Sequence, residues 1–206
     1  MFQTKNKSLK VIDLLRHGET TAGHCFIGST DAALTETGWL QMQTGVANQH
    51  YDCVISSPLK RCIEFAQHYT ARHAIACNIE PDFREYDFGE WEGKTAEALW
   101  ASDSALLTAF WDDPTIHVPP GAEAFQGFQT RVASAIDKHI QAFNGESLLV
   151  VAHGGVIRQI LASQLSLTWL QAMNIKMGHG ECLRLSMVDK NYKLLSGNAD
   201  SFSTNC

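Results

Sequence analysis

The sequence predicts an α/β fold, a three-layer α/β/α sandwich around a mostly parallel mixed sheet. Three observations carry this reading. Short apolar runs recur at residues 11–15, 53–56 and 148–152, and stretches with apolar residues at helical spacing lie between them. Such alternation places parallel strands between layers of helices. Each run also ends on reactive residues: Arg16-His17-Gly18, then Ser57-Pro58-Leu59-Lys60-Arg61, then His153-Gly154-Gly155.

The elements follow in order. Residues 10–15 form the first strand, and a loop runs through Thr30. A helix starts near Thr35, where Thr35-Glu36-Thr37 leads into Trp39, Leu40, Met42 and Val46. The buried strand 53–56 precedes a helix to about Arg72, with Pro58 suited to its first turn. Residues 74–80 read as a short strand that Pro81 ends, and 83–93 as a loop or short strand. A helix over 95–111 stops at Asp112-Asp113-Pro114, and a proline-rich turn at 116–121 leads to a helix over 124–143. The strand 148–152 runs straight into a helix over 155–164. Strands at 181–188 and 192–198 complete the sheet as its antiparallel part.

With 206 residues, 45% of them hydrophobic and 18% charged, and no repeats or linker-like stretches, one globular domain over 1–206 is expected. The net charge of −6 offers no basic footprint for nucleic acid or an anionic membrane. No apolar run approaches the ~18 residues of a membrane span. Residues 1–10 carry Lys5, Lys7 and Lys10 without an apolar core, unlike a signal peptide. Cys25, Cys53, Cys62, Cys77, Cys182 and Cys206 contain no C-x-x-C pair and read as reduced thiols, so a cytoplasmic protein is expected. A monomer or homodimer is compatible with these features.

Three strand ends thus bring two arginines and two histidines together without an acid, at the carboxyl edge where open α/β sheets bind ligands. Planar guanidinium groups chelate phosphoryl oxygens, so this reads as a pocket for a dianion such as a phosphate. Neighbouring cations favour a neutral imidazole, which a nucleophile needs. Gly154 and Gly155 add backbone N–H donors at a positive helix end. A proton for a leaving oxygen is available from the acidic segment 83–93, in which Glu85, Asp87, Glu90 and Glu92 are all candidates on chemistry alone.

These residues resemble the histidine phosphatase superfamily, which includes cofactor-dependent phosphoglycerate mutases and small bacterial phosphatases. Its motifs appear in order as Leu15-Arg16-His17-Gly18-Glu19-Thr20, Ser56-Ser57-Pro58-Leu59-Lys60-Arg61, Glu85 four before Gly89, and His153-Gly154-Gly155. The resemblance implies a phosphoglycerate mutase-like fold with a helical lid around 95–128. It implies that His17 is the phosphorylated nucleophile, that Arg16, Arg61 and His153 complete the phosphate pocket with Gly154, and that Glu85 is the general acid. Residues 28–38 and 87–93 are most similar to α-ribazole-5′-phosphate phosphatases of cobalamin nucleotide-loop assembly. That implies a small phosphomonoester substrate and no cofactor or metal. A phosphatase of other or broad specificity, a mutase and a non-catalytic phosphate-binding module are the alternatives.

One position departs from the family: many relatives carry an asparagine six residues after the nucleophile, where this chain has Gly23. Either the backbone or His24 replaces its side chain, or phosphate binding is weaker. His24 and His117 lie in loops that can face the pocket, whereas His50, His68, His73, His139 and His179 read as surface or structural residues without metal-site spacing. Trp100, Phe110, Trp111, Phe125 and Phe128 are expected to pack the lid, with stacking on an aromatic leaving group as the functional alternative. Glu123 reads as a structural hydrogen-bonding residue, and a salt bridge to Arg84 is the bland alternative for Glu85.

Overall fold

The computed structural model describes residues 10–188 and 191–196. Six strands form one sheet: β1 (Val11–Arg16), β2 (Cys53–Ser56), β3 (Ala76–Ile79), β4 (Ser147–Ala152), β5 (Cys182–Val188) and β6 (Asn191–Ser196). Their order is β3-β2-β4-β1-β5-β6. β1 to β4 are parallel, β5 runs antiparallel to β1, and β6 antiparallel to β5. Gly197 and Asn198, the expected end of the last strand, lie outside the described residues, as does Cys206.

Side-chain alternation along the strands sets the layers. Ile12, Leu14, Ile55, Leu148 and Val150 pack on α4 (Phe125–Ala142) and α5 (Gly154–Leu165) through Phe128, Val132, Ile136, Val156 and Ile160. Leu15, Val54, Leu149 and Val151 face the opposite way, against α1 (Glu36–Gly45) and α2 (Lys60–His73), where Met42, Cys62, Phe65 and Tyr69 meet them. β4 is fully buried over its last five residues because it lies between two strands and two helical layers.

Register places the site. Arg16 of β1 pairs with Ala152 of β4, and Ser56 of β2 with Val151. His17, Ser57 and His153, one residue beyond each strand, therefore emerge side by side. The turn after β1 is tight: a Cβ on Gly18 would lie 2.1 Å from the Gly38 carbonyl oxygen, and one on Gly38 the same distance from the Glu19 oxygen. The start of α1 thus packs backbone to backbone on the loop that follows β1. Thr35 caps α1 by accepting the Gly38 N–H at 3.0 Å.

Three local features depart from the expected elements. Pro58 precedes the cap residue Leu59 rather than opening α2, and the first helical N–H, that of Lys60, goes to the distant carboxylate of Asp31 at 2.7 Å. The helix expected over 95–111 is α3 (Ala96–Asp112), interrupted at Asp103, whose φ of −156° breaks the spiral and whose carboxylate caps the continuing turn through Leu106 N–H at 3.1 Å. A short helix, α6 (Trp169–Met173), was not expected, although Thr168 and Gln171 form a reciprocal capping box that marks its start in the sequence.

On the α1/α2 side of β1 the buried Asp13 takes two hydrogen bonds from Arg184, at 2.7 and 2.6 Å, and one from the Tyr51 hydroxyl at 2.6 Å. Removing the carboxylate strands a hydroxyl and a half-covered guanidinium. Asp13→Ala is expected to lower unfolding free energy by about 3 kcal/mol in a urea titration; a loss near zero would show that water replaces the carboxylate fully.

Candidate active site

A cavity of about 210 Å³ opens at the carboxyl edge of β1 and β4. Arg16, His17, Glu85, Gly154, Gly155, Arg158 and His179 line its polar end, and Phe26, Phe88, Phe110, Trp111, Phe125 and Trp169 line the rest.

His17 sits at the junction and is only 5% exposed. Its Nδ1 lies 2.8 Å from the carbonyl oxygen of Gly18 and so carries the proton, which leaves the Nε2 lone pair free. Burial, then the charge of Arg61, holds this imidazole well below the ordinary histidine range, so it is neutral at neutral pH. The His153 ring lies 5.3 Å away and that of His179 5.5 Å, both centroid to centroid. His153 is shifted down for the same reasons, burial first and Arg61 second.

Arg61 and His153 stand behind the cavity wall, and both are fully buried. Arg61 donates Nε–H to His153 Nδ1 at 3.1 Å, Nη1 to the carbonyl of Thr30 at 2.7 Å, and Nη2 to those of Ile27 at 3.0 Å and Gly28 at 2.9 Å. With Nδ1 accepting, His153 keeps its proton on Nε2 and donates it to Ser57 Oγ at 2.7 Å. The expected chelation of phosphate by Arg61 is therefore not what the geometry displays. A guanidinium this deeply buried must satisfy its donors, and four of its hydrogen bonds stay within the protein. Arg16 is different: Nη1 donates to the Met177 carbonyl at 2.8 Å, while its buried Nε has no partner among the described residues.

Of the four candidate carboxylates, Glu85 is the one on the cavity wall. It accepts from Tyr86 N–H and from Gly155 N–H, each at 3.0 Å, so the N-terminus of α5 presents it beside His17. It makes no ion pair with Arg84, whose guanidinium turns to the Pro81 carbonyl. Asp87 caps the Gly89 N–H at 2.9 Å, and Glu90 is exposed. Glu92 is structural. It accepts from the backbone of Gly28, Ser29, Thr30 and Phe88 and from the Thr30 hydroxyl. Burial pushes its pKa up, yet these hydrogen bonds outweigh burial and hold it below the usual carboxylate range.

The sequence matches the family model of the Histidine phosphatase superfamily (branch 1) over residues 12–200. The chain belongs to that superfamily. It is 30% identical over 173 residues to the adenosylcobalamin/alpha-ribazole phosphatase of Salmonella typhimurium, a match covering 81% of this chain and 85% of the relative. It is 34% identical over 161 residues to a bifunctional protein of Mycobacterium tuberculosis, covering 72% of this chain but 42% of that much longer relative. The crystal structure of the alpha-ribazole phosphatase from Shigella flexneri superposes with a TM-score of 0.80 at 25% identity, over 92% of this chain and 96% of that one.

In this histidine phosphatase Gly23 lines the cavity with φ of +67°, a left-handed conformation that glycine adopts freely and asparagine tolerates better than most residues. His24 and His117 are exposed and outside the lining, so neither stands in for an asparagine at position 23. Phe110, Trp111, Phe125 and Phe128 line the cavity, while Trp100 faces solvent.

Several residues on or behind the wall escaped the sequence reading. His179 precedes β5, which runs antiparallel to β1, so the start of β5 lies beside the end of β1. Arg158 follows Gly154 by one helical turn, an i, i+4 spacing that marks it as sharing that face. Trp169 comes with α6. Arg131 grips the segment around Glu85, donating to the carbonyls of Asp82 at 2.6 Å, Arg84 at 2.8 Å and Glu85 at 3.1 Å. It also pairs with Glu123 at 2.6 Å, which in turn accepts the Asp87 N–H at 3.0 Å, giving Glu123 the structural role expected of it.

Two outcomes follow from this geometry. Below pH about 6.5 the unfolded chain protonates histidines that the folded site keeps neutral, so stability falls as pH falls. His153→Gln should reduce the loss in unfolding free energy between pH 7.5 and 5.5 by about 1 kcal/mol relative to wild type, read by urea titration at each pH. A Cβ at Gly23 meets nothing within 4 Å. Gly23→Asn should therefore fold normally and bind inorganic phosphate roughly tenfold more tightly by isothermal calorimetry, one added hydrogen bond to an anion being worth about 1.5 kcal/mol.

Proposed function

We propose that this chain is a phosphomonoesterase that works through a phosphohistidine, with α-ribazole 5′-phosphate as its substrate. The observation that carries the reading is the neutral His17, its Nδ1 proton committed to Gly18 and its Nε2 free, on the same small cavity wall as Glu85 and the unsatisfied Arg16. Arg16 holds the phosphoryl oxygens, with Gly154 at the start of α5, while Arg61 acts from behind, its charge adding to burial in keeping His17 uncharged, and His153 packs beside it.

The chemistry balances in two steps. The His17 Nε2 lone pair forms the N–P bond as the P–O ester bond breaks, and the Glu85 carboxyl proton goes to the departing oxygen. Water then forms a new P–O bond and gives its proton to the Glu85 carboxylate. The N–P electron pair returns to His17, releasing inorganic phosphate. Nothing in this cycle requires a metal.

The aromatic end of the cavity favours a leaving group with a flat ring, such as a benzimidazole nucleoside. The names of the Salmonella and Shigella relatives support the same choice. Phosphate release from α-ribazole 5′-phosphate, set beside a panel of small phosphomonoesters without added metal, tests the reading. The ribazole ester should be preferred, His17→Ala should abolish release, and Glu85→Gln should lower kcat by 10²–10⁴-fold while labelled phosphoenzyme, trapped by an alkaline detergent quench, accumulates. Preference for another ester with the same His17 dependence would keep the mechanism and remove the substrate. No release from any ester would overturn both.

A further inference from the structure

The cavity holds a third guanidinium that this chemistry does not use. Arg158 lines the wall beside Glu85, Trp169 and Met173. A Cβ on Gly154 would lie 3.1 Å from Arg158 Nη1 and 3.6 Å from Arg16 Nε, so the two arginines flank the same glycine at the start of α5. Among the described residues, the buried Nε of Arg158 has no hydrogen-bond partner, and Arg158 forms none of the ion pairs.

Buried donors of this kind are rare in folded proteins and call for a partner from outside. Glu85, the sole carboxylate on the wall, does not fill the role. Its hydrogen bonds come from Tyr86 and Gly155, and it must carry a proton when it donates to the leaving oxygen. Arg158 lines the wall with Glu85, which in the proposed cycle gives its proton to the leaving oxygen, so Arg158 stands on the side from which the leaving group departs. The wall around Arg158 changes there from polar to apolar, with Phe125 and Phe128 on α4 and Trp169 on α6.

The geometry points to Arg158 as the residue that reads the leaving group, donating to an oxygen acceptor close to the ester linkage. The inference rests on the phosphomonoesterase reading and narrows it. The favoured esters pair a flat apolar portion with a nearby oxygen acceptor, as the ribose of a nucleoside 5′-phosphate provides. Simple aryl phosphates gain nothing from Arg158.

Two probes separate the contributions: ribose 5-phosphate, whose sugar carries such oxygens, and phenyl phosphate, which has none beyond the ester. Arg158→Met keeps the length of the side chain and removes the donors. Its kcat/KM for ribose 5-phosphate should fall ~10- to 100-fold, the effect of losing a charge-assisted hydrogen bond. Its kcat/KM for phenyl phosphate should stay within about twofold of wild type, which also shows that the variant folds. Arg158→Lys should recover part of the loss on the sugar ester alone. Equal losses on both probes, with the pH profile displaced for both, would mean that Arg158 acts through Glu85 or the phosphoryl group and would overturn the proposal. No loss on either would overturn it as well. If wild-type protein turns over neither probe nor any ester of the panel, the phosphomonoesterase reading itself fails.

Discussion

The site depends on one buried cation. Arg61 has no carboxylate within ion-pairing distance among the described residues and is nevertheless fully enclosed. Its charge is dispersed over the carbonyls of Ile27, Gly28 and Thr30 and the ring of His153. The same loop gives the N–H groups of Gly28, Ser29 and Thr30 to Glu92 on its other side. A cation takes the loop's carbonyls and an anion takes its amides. The peptide groups lie between two opposite charges that never touch, so residues 27–30 are held without packing much of their own apolar surface. Burial first and the Arg61 guanidinium second hold His17 and His153 well below the ordinary histidine range, so the residue that orders the loop also favours neutral imidazoles beside it.

Positioning of the acid follows similar logic through a second arginine. Arg131 lies over the Phe128 ring at 5.0 Å and binds the backbone carbonyls of Asp82, Arg84 and Glu85, and its partner Glu123 holds Asp87. The segment from 82 to 87 is thereby fixed to α4, while Gly155 of α5 fixes the carboxylate itself. Both anchors belong to helices packed on the β4 side of the sheet. Glu85 and His17 are therefore referred to one rigid core, as the near-attack geometry of the proposed reaction needs. Both contacts that place Glu85 are made by backbone atoms or to them. That explains why chemistry alone left four carboxylates open in the sequence and one in the structure.

What the sequence made legible was the part governed by strand periodicity. Apolar runs of four to six residues ending in Arg16-His17, Ser57 and His153 specify parallel strands whose ends coincide, and the register of β2, β4 and β1 brings them together. What stayed hidden was set by tertiary partners. His179 reaches the site only because β5 reverses direction, which no local pattern announces. The start of α2 is capped from Asp31, 29 residues upstream in sequence, so Pro58 was drawn into a helix it only precedes. Arg61 carries the right charge for a phosphate ligand, and only its burial and its carbonyl acceptors give it the supporting position. Motif and charge identify which residues belong to a site; solvent exposure decides which of them face the ligand.

This division also bears on how one scaffold serves different esters. The residues that generate and hold the nucleophile come from strand ends, where a shift of one position would move every neighbour. The residues around the leaving group come from elsewhere: Phe26 from a loop, Trp111 from the end of α3, Phe125 from α4, Trp169 from α6 and Arg158 from one turn inside α5. Each can change in size or charge without altering the β1–β4 register or the Arg61 network. Catalytic competence and substrate choice are thus encoded in separable sets of contacts, consistent with function residing in sites set upon a common fold. Among the leaving-group residues Arg158 is the exception that touches both sets, since it shares Gly154 with Arg16. Under the proposed function, a change there would alter recognition of the leaving group right beside the phosphoryl pocket.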